Sequence, residues 1–268
     1  MIQVFDSQVV LSESASKGNQ KKFYNNGCWV KLDNQNCFEG LAEHFVSKFE
    51  SIIYNFPYVD YVSDKIVYND DLYNGCASLN MYDINTTFIS LRRLFKKNNI
   101  LLNIFIRDDD IRVNIRNVVD ACGNLTGLDI SSYLFRLVLL DSLILNEDRH
   151  YMNLGICSDG NSYYEAKCFD NGSSLFCTNW TYRKTKSLEE NIRSASSVAR
   201  PFSKFFDKQV SACISLGAKP LLINKKGLDI LMMNYHNSFY SDERNNLVKS
   251  VLSDRLAYYY NKGVYTYV

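Results

Sequence analysis

The chain has 268 residues, with 30 basic and 29 acidic side chains and 46% apolar residues. This length is enough for one large domain or two small lobes around a real core. The near-neutral charge, without a basic tail, argues against nucleic acid as the main partner. The apolar run Tyr133–Leu145 contains Arg136 and Asp141, which makes it too short and too charged to span a bilayer.

The N-terminus "MIQVFDSQVV" carries an early acid and lacks the basic start and long apolar stretch of a signal peptide. The eight cysteines are spread along the chain without a CxxC pair, which argues against a zinc site. We therefore expect reduced thiols and a cytoplasmic protein, although a secreted effector stays open.

The first ~80 residues are predicted to be rich in strands, with one helix. "KKFYNNGCWVKLD" is typical of a hairpin around an Asn-Asn-Gly turn. "EGLAEHFVSKFESII" has apolar residues at helical spacing, and "YVDYVSDKIVY" and "GCASLNMYD" are predicted to be further strands.

After about residue 84 the pattern is mostly helical. "NTTFISLRRLFKKNN" predicts an amphipathic helix capped by Thr86 or Thr87, and Ile130–Leu145 predicts a helix buried on all sides. A hairpin is predicted from strands Leu154–Cys157 and Tyr163–Phe169, and three closing helices from "LEENIRSA", "FSKFFDKQVSACISL" and "SDERNNLVKSVLSDRLAYYY". The fold class is therefore α+β, with a small β-rich lobe (1–82), a larger helical lobe (83–268) and a ligand cleft between them.

Three polar residues follow the buried helix in "NEDRHYMN" and "CFDNG". An irregular loop before the hairpin can bring Asp148, Asn153 and Asp170 together, with Gly172 permitting a sharp turn. Each residue alone is also typical of an ordinary turn. Together they supply what phosphoryl transfer requires: an acid that accepts a hydroxyl proton, and two oxygen ligands suited to Mg²⁺.

A lysine in the predicted hairpin is the next candidate. Alternation in "CWVKL" places Lys31 and Trp29 on the face opposite Val30, and a lysine so placed is often merely exposed. A strand lysine paired with a helix glutamate, touching nucleotide phosphates, is the kinase arrangement. The following helix offers Glu39 and Glu43, and we favour Glu43 because Glu39 belongs to the first turn.

The motifs "KGNQKK", "WVKLD", "EGLAE", "NEDRHYMN" and "FDNG", in this order, resemble the HipA-like serine/threonine kinases, above all their compact stand-alone CtkA-type members. "DRHxxN" is also similar to phosphatidylinositol kinases. The resemblance spans residues ~12 to ~176, with a weaker likeness in "ARPFSKFF", and implies the two-lobed protein-kinase-like fold with ATP and Mg²⁺ as cofactors. It implies a phosphate loop at Gly18, Gln20 and Lys22, ATP phosphates on Lys31 beside Glu43, Asp148 as catalytic base, and Mg²⁺ on Asn153 and Asp170.

The chain departs from ordinary protein kinases, because His150 follows the proposed base instead of preceding it and Asp170 is followed by "NG". The phosphate loop begins only about a dozen residues in, which leaves no room for the N-terminal module of HipA toxins and makes an antitoxin partner or DNA-bound complex uncertain. The main expectation is an ATP- and Mg²⁺-dependent serine/threonine protein kinase that acts on an unidentified protein. A small-molecule or lipid kinase, an inactive nucleotide-binding module and a metal-dependent hydrolase remain as alternatives.

Several neighbouring residues receive supporting roles. Asp141, in the buried helix, would be costly unpaired, so we expect it to accept hydrogen bonds from loop backbone amides, and Asn146 to act similarly. His150 is expected to be a hydrogen-bonding residue of the loop. Ser12, Ser14 and Ser16 are candidate autophosphorylation sites by the resemblance.

Overall fold

The computed structural model describes residues 1–10, 20–83, 85–100, 109–178, 182–195 and 198–268. It has an α+β fold, as the sequence predicted. A five-stranded sheet comes from the first 79 residues, and mostly helical structure follows. The exact division at residues 82 and 83 stays a prediction.

The sheet has the strand order β1-β4-β5-β3-β2. Its strands are β1 Ile2–Gln3, β2 Lys22–Asn25, β3 Cys28–Leu32, β4 Val62–Tyr68 and β5 Asp71–Leu79. The predicted hairpin is confirmed: β2 and β3 are antiparallel, and the turn uses Asn26 and Gly27 with φ of 48° and 81°. The strand predicted from "GCASLNMYD" corresponds to β5, which starts and ends four residues before the predicted stretch.

Helix α1, Glu39–Glu50, packs against β4 and β5. Leu41, Phe45 and Phe49 recur on one face and are fully buried in the main core. The helix sits close to the sheet because a Cβ on Gly40 would lie 2.6 Å from the carbonyl carbon of Gly75. Gly40 therefore permits the close approach of α1 to β5.

The rest of the chain is mainly helical around one apolar core. Its elements are β6 Thr87–Ser90, α2 Leu91–Lys97, α3 Ile111–Thr126, α4 Ser131–Ile144, β7 Gly155–Ser158, β8 Tyr163–Glu165, α5 Leu188–Ala195, α6 Phe206–Ser215, β9 Leu221–Ile223, α7 Lys225–Asn234, α8 Asp242–Tyr259 and β10 Tyr265–Tyr267. The predicted central helix is confirmed as α4, which packs against α6 and α8. Helix α4 ends at Leu145, whose φ of 50° turns the chain into the loop that carries Asp148.

One helix prediction is wrong in part. Residues 87–90 form β6 instead of a first helical turn, because Thr87–Ser90 pairs with β7. The helix cap is therefore Ser90, whose Oγ accepts a hydrogen bond from the Arg93 amide at 3.2 Å, and not Thr86 or Thr87. The sequence also gave no signal for α3, α7 or the short parallel pair β9 and β10.

Within the described ranges, no helix combines the length and apolarity needed to cross a bilayer. All eight cysteines lie in these ranges and none forms a disulfide.

Candidate active site

A cleft of about 330 Å³ lies between the sheet and the segments after it. Mostly apolar and uncharged side chains line it, as in pockets that bind small organic ligands. Its charged lining consists of Lys22, Lys31, Arg93 and Asp170. The other lining residues are Trp29, Val59, Tyr61, Ser78, Leu79, Asn80, Met81, Tyr82, Thr86, Thr87, Phe88, Met152 and Phe169.

Lys31 is the centre of the charged wall. Its Nζ lies 2.5 Å from Oε1 of Glu43 and 2.8 Å from Oδ1 of Asp170, and 3.4 Å from the hydroxyl of Tyr61. Burial alone would lower the pKa of this lysine, but the two carboxylates outweigh burial and hold the pKa well above its usual value. Lys31 is therefore a buried cation at neutral pH, balanced by two acids.

The pairing with Glu43 agrees with the choice made from the sequence. Glu39 instead accepts hydrogen bonds from the backbone and side-chain amides of Asn34, at 3.1 and 2.7 Å. Glu43 is fully buried, and its second oxygen accepts a hydrogen bond from the Asn171 amide at 2.8 Å. One glutamate thus links β3 to the segment that carries Asp170.

Lys22 lies directly opposite Lys31 in the hairpin. Like charges in this position destabilise a sheet. Asp170 Oδ1 offsets the repulsion, since it lies 3.5 Å from the Lys22 Nζ as well as 2.8 Å from that of Lys31. Burial, the largest influence, lowers the pKa of Lys22, while Asp170 raises it. The hairpin thus presents two cations to one anion.

The Asp148 loop is closed by two carboxamides. Asn146 Oδ1 accepts a hydrogen bond from the Asp148 amide at 3.0 Å. Asn153 Nδ2 donates to the Asp148 carbonyl at 3.0 Å, and Asn153 Oδ1 accepts from the His150 amide at 2.8 Å. The irregular loop expected from the sequence is present, and both ends of the Asn153 amide hold it in shape.

The Asp148 carboxylate is partly exposed, with a quarter of its side chain accessible (24%). Arg200 Nη1 donates to its Oδ1 at 3.0 Å, and His150 Nε2 lies 3.8 Å from Oδ2. Burial is the main influence and raises the pKa of Asp148; Asp170 raises it further, while His150 and Arg200 lower it. The negative charge of Asp170 thus opposes ionisation of Asp148. His150 Nδ1 has no hydrogen-bond partner among the described residues, so only its backbone joins the loop's hydrogen bonds.

Arg149 holds the loop from inside the protein. Its guanidinium is fully buried and donates two hydrogen bonds of 2.9 Å to the carboxylate of Asp141. It also donates to the Phe169 carbonyl at 2.8 Å and to Asn171 Oδ1 at 2.7 Å. The expected partners of Asp141 were therefore wrong: its buried carboxylate is neutralised by Arg149 and is not held by loop backbone amides.

Asp170 itself adopts the left-handed backbone conformation, with a φ of 62°. Gly172 was expected to allow a sharp turn here, but its φ is not positive. Gly172 instead packs closely against α1, since a Cβ there would lie 3.1 Å from the Glu39 Cβ. Aspartate is among the residues that tolerate this left-handed conformation, so the conformation and the carboxylate come from one residue.

The phosphate loop implied by the resemblance falls mainly outside the described residues. Gly18 lies there, with Ser12, Ser14 and Ser16. Gln20 is described, and its buried Nε2 has no hydrogen-bond partner among the described residues. Lys22 is also described, and its Nζ lies 3.5 Å from Asp170 Oδ1.

Within the described residues, no cluster of three or more His, Cys, Asp or Glu side chains could hold a metal ion. A site built from one carboxylate and one carboxamide with phosphate oxygens needs no such cluster. The donor chemistry of Asp170 and Asn153 is of this type, since Asn153 Oδ1 accepts one hydrogen bond and keeps a second lone pair.

Four residues of the site were not identified from the sequence: Tyr61, Glu50, Asn171 and Arg200. Asn171 lies within the "DNG" motif, and Arg200 lies within "ARPFSKFF", where a weak likeness was noted. Tyr61 and Glu50 gave no signal, because a tyrosine just before a strand and a glutamate at the end of a helix are ordinary at such positions.

No family model and no curated protein matches this chain. Among solved structures, the crystal structure of CtkA, a proinflammatory kinase of Helicobacter pylori, matches with a TM-score of 0.63. The match covers 96% of this chain and 95% of that chain at 16% identity. HipA of Shewanella oneidensis, solved with HipB and operator DNA, matches with a TM-score of 0.46 and 10% identity, over 91% of this chain and 63% of that chain. The kinase-like fold expected from the sequence is thereby confirmed: this chain has the fold of CtkA.

Proposed function

We propose that the chain is an ATP- and Mg²⁺-dependent phosphotransferase, and specifically a serine/threonine protein kinase of the HipA-like type. The observation that carries the proposal is the position of Lys31 Nζ, 2.5 Å from Glu43 and 2.8 Å from Asp170 in the wall of a cleft. In kinases, this ion pair holds the lysine that binds the phosphates, next to the aspartate that binds the metal.

The cleft fits a nucleotide in two respects. Its apolar walls suit a flat base. Lys22 and Lys31, which both lie next to Asp170, form the charged end of the same cleft. Two lysines opposite each other on neighbouring strands repel. Phosphate oxygens between them would remove that repulsion, so these lysines are proposed to bind the phosphates of ATP, with Gly18 and Gln20 in the adjoining loop.

Asp170 and Asn153 are proposed to hold Mg²⁺. Oxygen donors of this kind match its preference, and bound Mg²⁺ would offset the negative charge of the phosphates. To do so, Asn153 would use the lone pair of Oδ1 that the loop leaves free. Asp170 would exchange part of its contact with the lysines for the metal.

Asp148 is proposed to be the catalytic base. As the acceptor oxygen bonds to the γ-phosphorus, the bond from that phosphorus to the bridging oxygen breaks and ADP leaves; the hydroxyl proton passes to Asp148. Burial raises the pKa of this carboxylate, which makes it a better proton acceptor than a fully hydrated aspartate. Asn146 and Asn153 fix its backbone, so the carboxylate keeps its position.

The proposed acceptor is a serine or threonine of a protein, in the cytoplasm or in the target cell of a secreted effector. The lobes 1–82 and 83–268 are proposed as the two units on either side of the cleft. No nucleic acid or antitoxin partner is required for the reaction.

The test is transfer of labelled γ-phosphate from Mg²⁺–ATP to the protein itself and to generic serine-containing peptides. Asp148→Asn is compared with Asp120→Asn, which alters an exposed aspartate of α3. Label with the parent and Asp120→Asn but not with Asp148→Asn would support the kinase. Nucleotide-dependent thermal stabilisation without label would favour an inactive binder, and the absence of both would refute nucleotide chemistry at this cleft.

A further inference from the structure

A second cavity of about 930 Å³ adjoins the cleft. The two share Thr87, Phe88, Arg93 and Met152 in their walls. Its volume is near the upper end of the ~300–1,000 Å³ typical of ligand pockets, so it has room for several side chains of a partner.

The cavity is strongly basic. Arg92, Arg93, Lys96 and Lys97, all from α2, line it with their exposed side chains, and none of the described residues that line it is acidic. These four side chains form no ion pair or hydrogen bond within the part of the chain that the structure describes. Arg92 and Lys96, and likewise Arg93 and Lys97, are four residues apart on one helix, where like charges repel. An anion bound beside the helix would relieve this repulsion.

Helix α2 is fixed to the loop that carries Asp148. The Leu91 amide donates to the Leu154 carbonyl at 2.8 Å, and the Arg92 amide donates to the Tyr151 carbonyl at 2.9 Å. Both acceptors lie within six residues of Asp148 in sequence. We call the cavity lined by these four cations the basic groove. The groove is thus held next to the loop of the proposed chemistry.

We propose that the basic groove binds an acidic stretch of polypeptide beside the residue to be phosphorylated, so that the substrates are acidic protein segments. This rests on the proposed kinase function. Guanidinium and ammonium groups in a row match successive Asp and Glu carboxylates, and the guanidinium of arginine binds a carboxylate through two hydrogen bonds. Complementary charge of this kind sets specificity more than total affinity.

A membrane surface fits the groove less well. A helix that binds at a bilayer interface must offer an exposed apolar face, but the apolar residues Leu91, Leu94 and Phe95 of α2 are buried in the core. The phosphates of ATP are also a poorer match, because Lys22 and Lys31 already face the cleft.

The test compares kcat/KM for serine peptides that differ only in their flanks: four acidic, four neutral or four basic residues. With the parent protein we expect the acidic peptide to exceed the neutral one by about tenfold, since each exposed ion pair changes affinity by up to about fivefold. The preference should fall as salt is raised. Lys96→Glu with Lys97→Glu should abolish or reverse it, and Lys96→Arg with Lys97→Arg should keep it.

The matched control is Lys219→Glu with Lys226→Glu, two exposed lysines outside both cavities, which should keep the parental preference. Equal activity on all three peptides would overturn the groove proposal while leaving the kinase intact. No transfer to any acceptor would instead refute the proposed function. A higher KM for ATP in the Lys96→Glu, Lys97→Glu protein, with the peptide preference unchanged, would assign the cations to the nucleotide. Transfer to vesicles of anionic lipid, without transfer to peptides, would also overturn the proposal.

Discussion

Glu50, at the end of α1, offers the sharpest test of the electrostatics beneath the site. It is fully buried, and one oxygen accepts a hydrogen bond from Asn171 Nδ2 at 3.2 Å. Its other oxygen has no hydrogen-bond partner among the described residues. Burial is the main cause that raises the pKa of Glu50 to about 8, opposed by the Cys168 thiol and by the charge of Arg149. The folded protein therefore holds a protonated Glu50 at neutral pH.

The sign of the effect follows from the proton balance. The pKa of Glu50 rises from 4.5 in the unfolded chain to about 8 in the folded protein. At pH values between these two, folding is therefore accompanied by the uptake of a proton. The stabilisation is complete below about pH 4.5 and is lost as the pH rises to about 8. At about 1.4 kcal/mol per pKa unit, the total is on the order of 5 kcal/mol.

The perturbation is Glu50→Gln, which keeps the shape of the protonated side chain and cannot ionise. The free energy of unfolding is measured by urea denaturation from pH 5 to 8.5 for the parent and the variant. Their difference should rise in favour of the variant by about 1.4 kcal/mol per pH unit and level off above about pH 8. Glu189→Gln, which removes an exposed carboxyl (78%), separates this effect from the mere loss of one charge. Parallel curves for parent and Glu50→Gln would refute a protonated Glu50.

The remaining predictions concern the site itself. Asp148→Asn should lower kcat by about 10²–10⁴-fold, measured with saturating nucleotide. Arg200→Ala removes a cation that lowers the pKa of Asp148, so the acid limb of the pH–rate profile should move to higher pH. Lys31→Ala should raise the KM for ATP, in a steady-state assay of transfer. Arg149→Ala leaves Asp141 buried and unpaired and should cost about 3–5 kcal/mol of stability in urea; replacing both with apolar residues should recover much of that loss.

Local patterns explain why the framework of the fold could be predicted. The Asn-Gly turn between β2 and β3, the apolar face of α1 and the apolar surround of α4 are each set within a short stretch of sequence. The errors occurred where partners distant in sequence decide the outcome. Thr87–Ser90 would suit a helix start, but β7 supplies the hydrogen bonds that make it a strand.

The same difference between local sequence patterns and partners distant in sequence holds for the candidate site. Lys31, Asp148, Asn153 and Asp170 became candidates because they match a known motif, and Glu43 because it lies inside the helix after Lys31. Spacing could not reveal that the carboxamide of Asn153 is engaged at both ends within its loop. Nor could it show which group neutralises a buried acid, since that depends on side chains brought together only by tertiary packing.

Asn171 shows what this packing achieves. Its backbone amide donates to Glu43, and its side chain joins Glu50 to Arg149. Because Glu43 and Glu50 both belong to α1, a shift of this helix would disturb the Lys31 pair and the support of the Asp148 loop together. Buried polar networks lose much of their stabilisation when one member is left unsatisfied. The lysine, the backbone at Asp170 and the loop of the proposed base are therefore expected to form or fail as one unit.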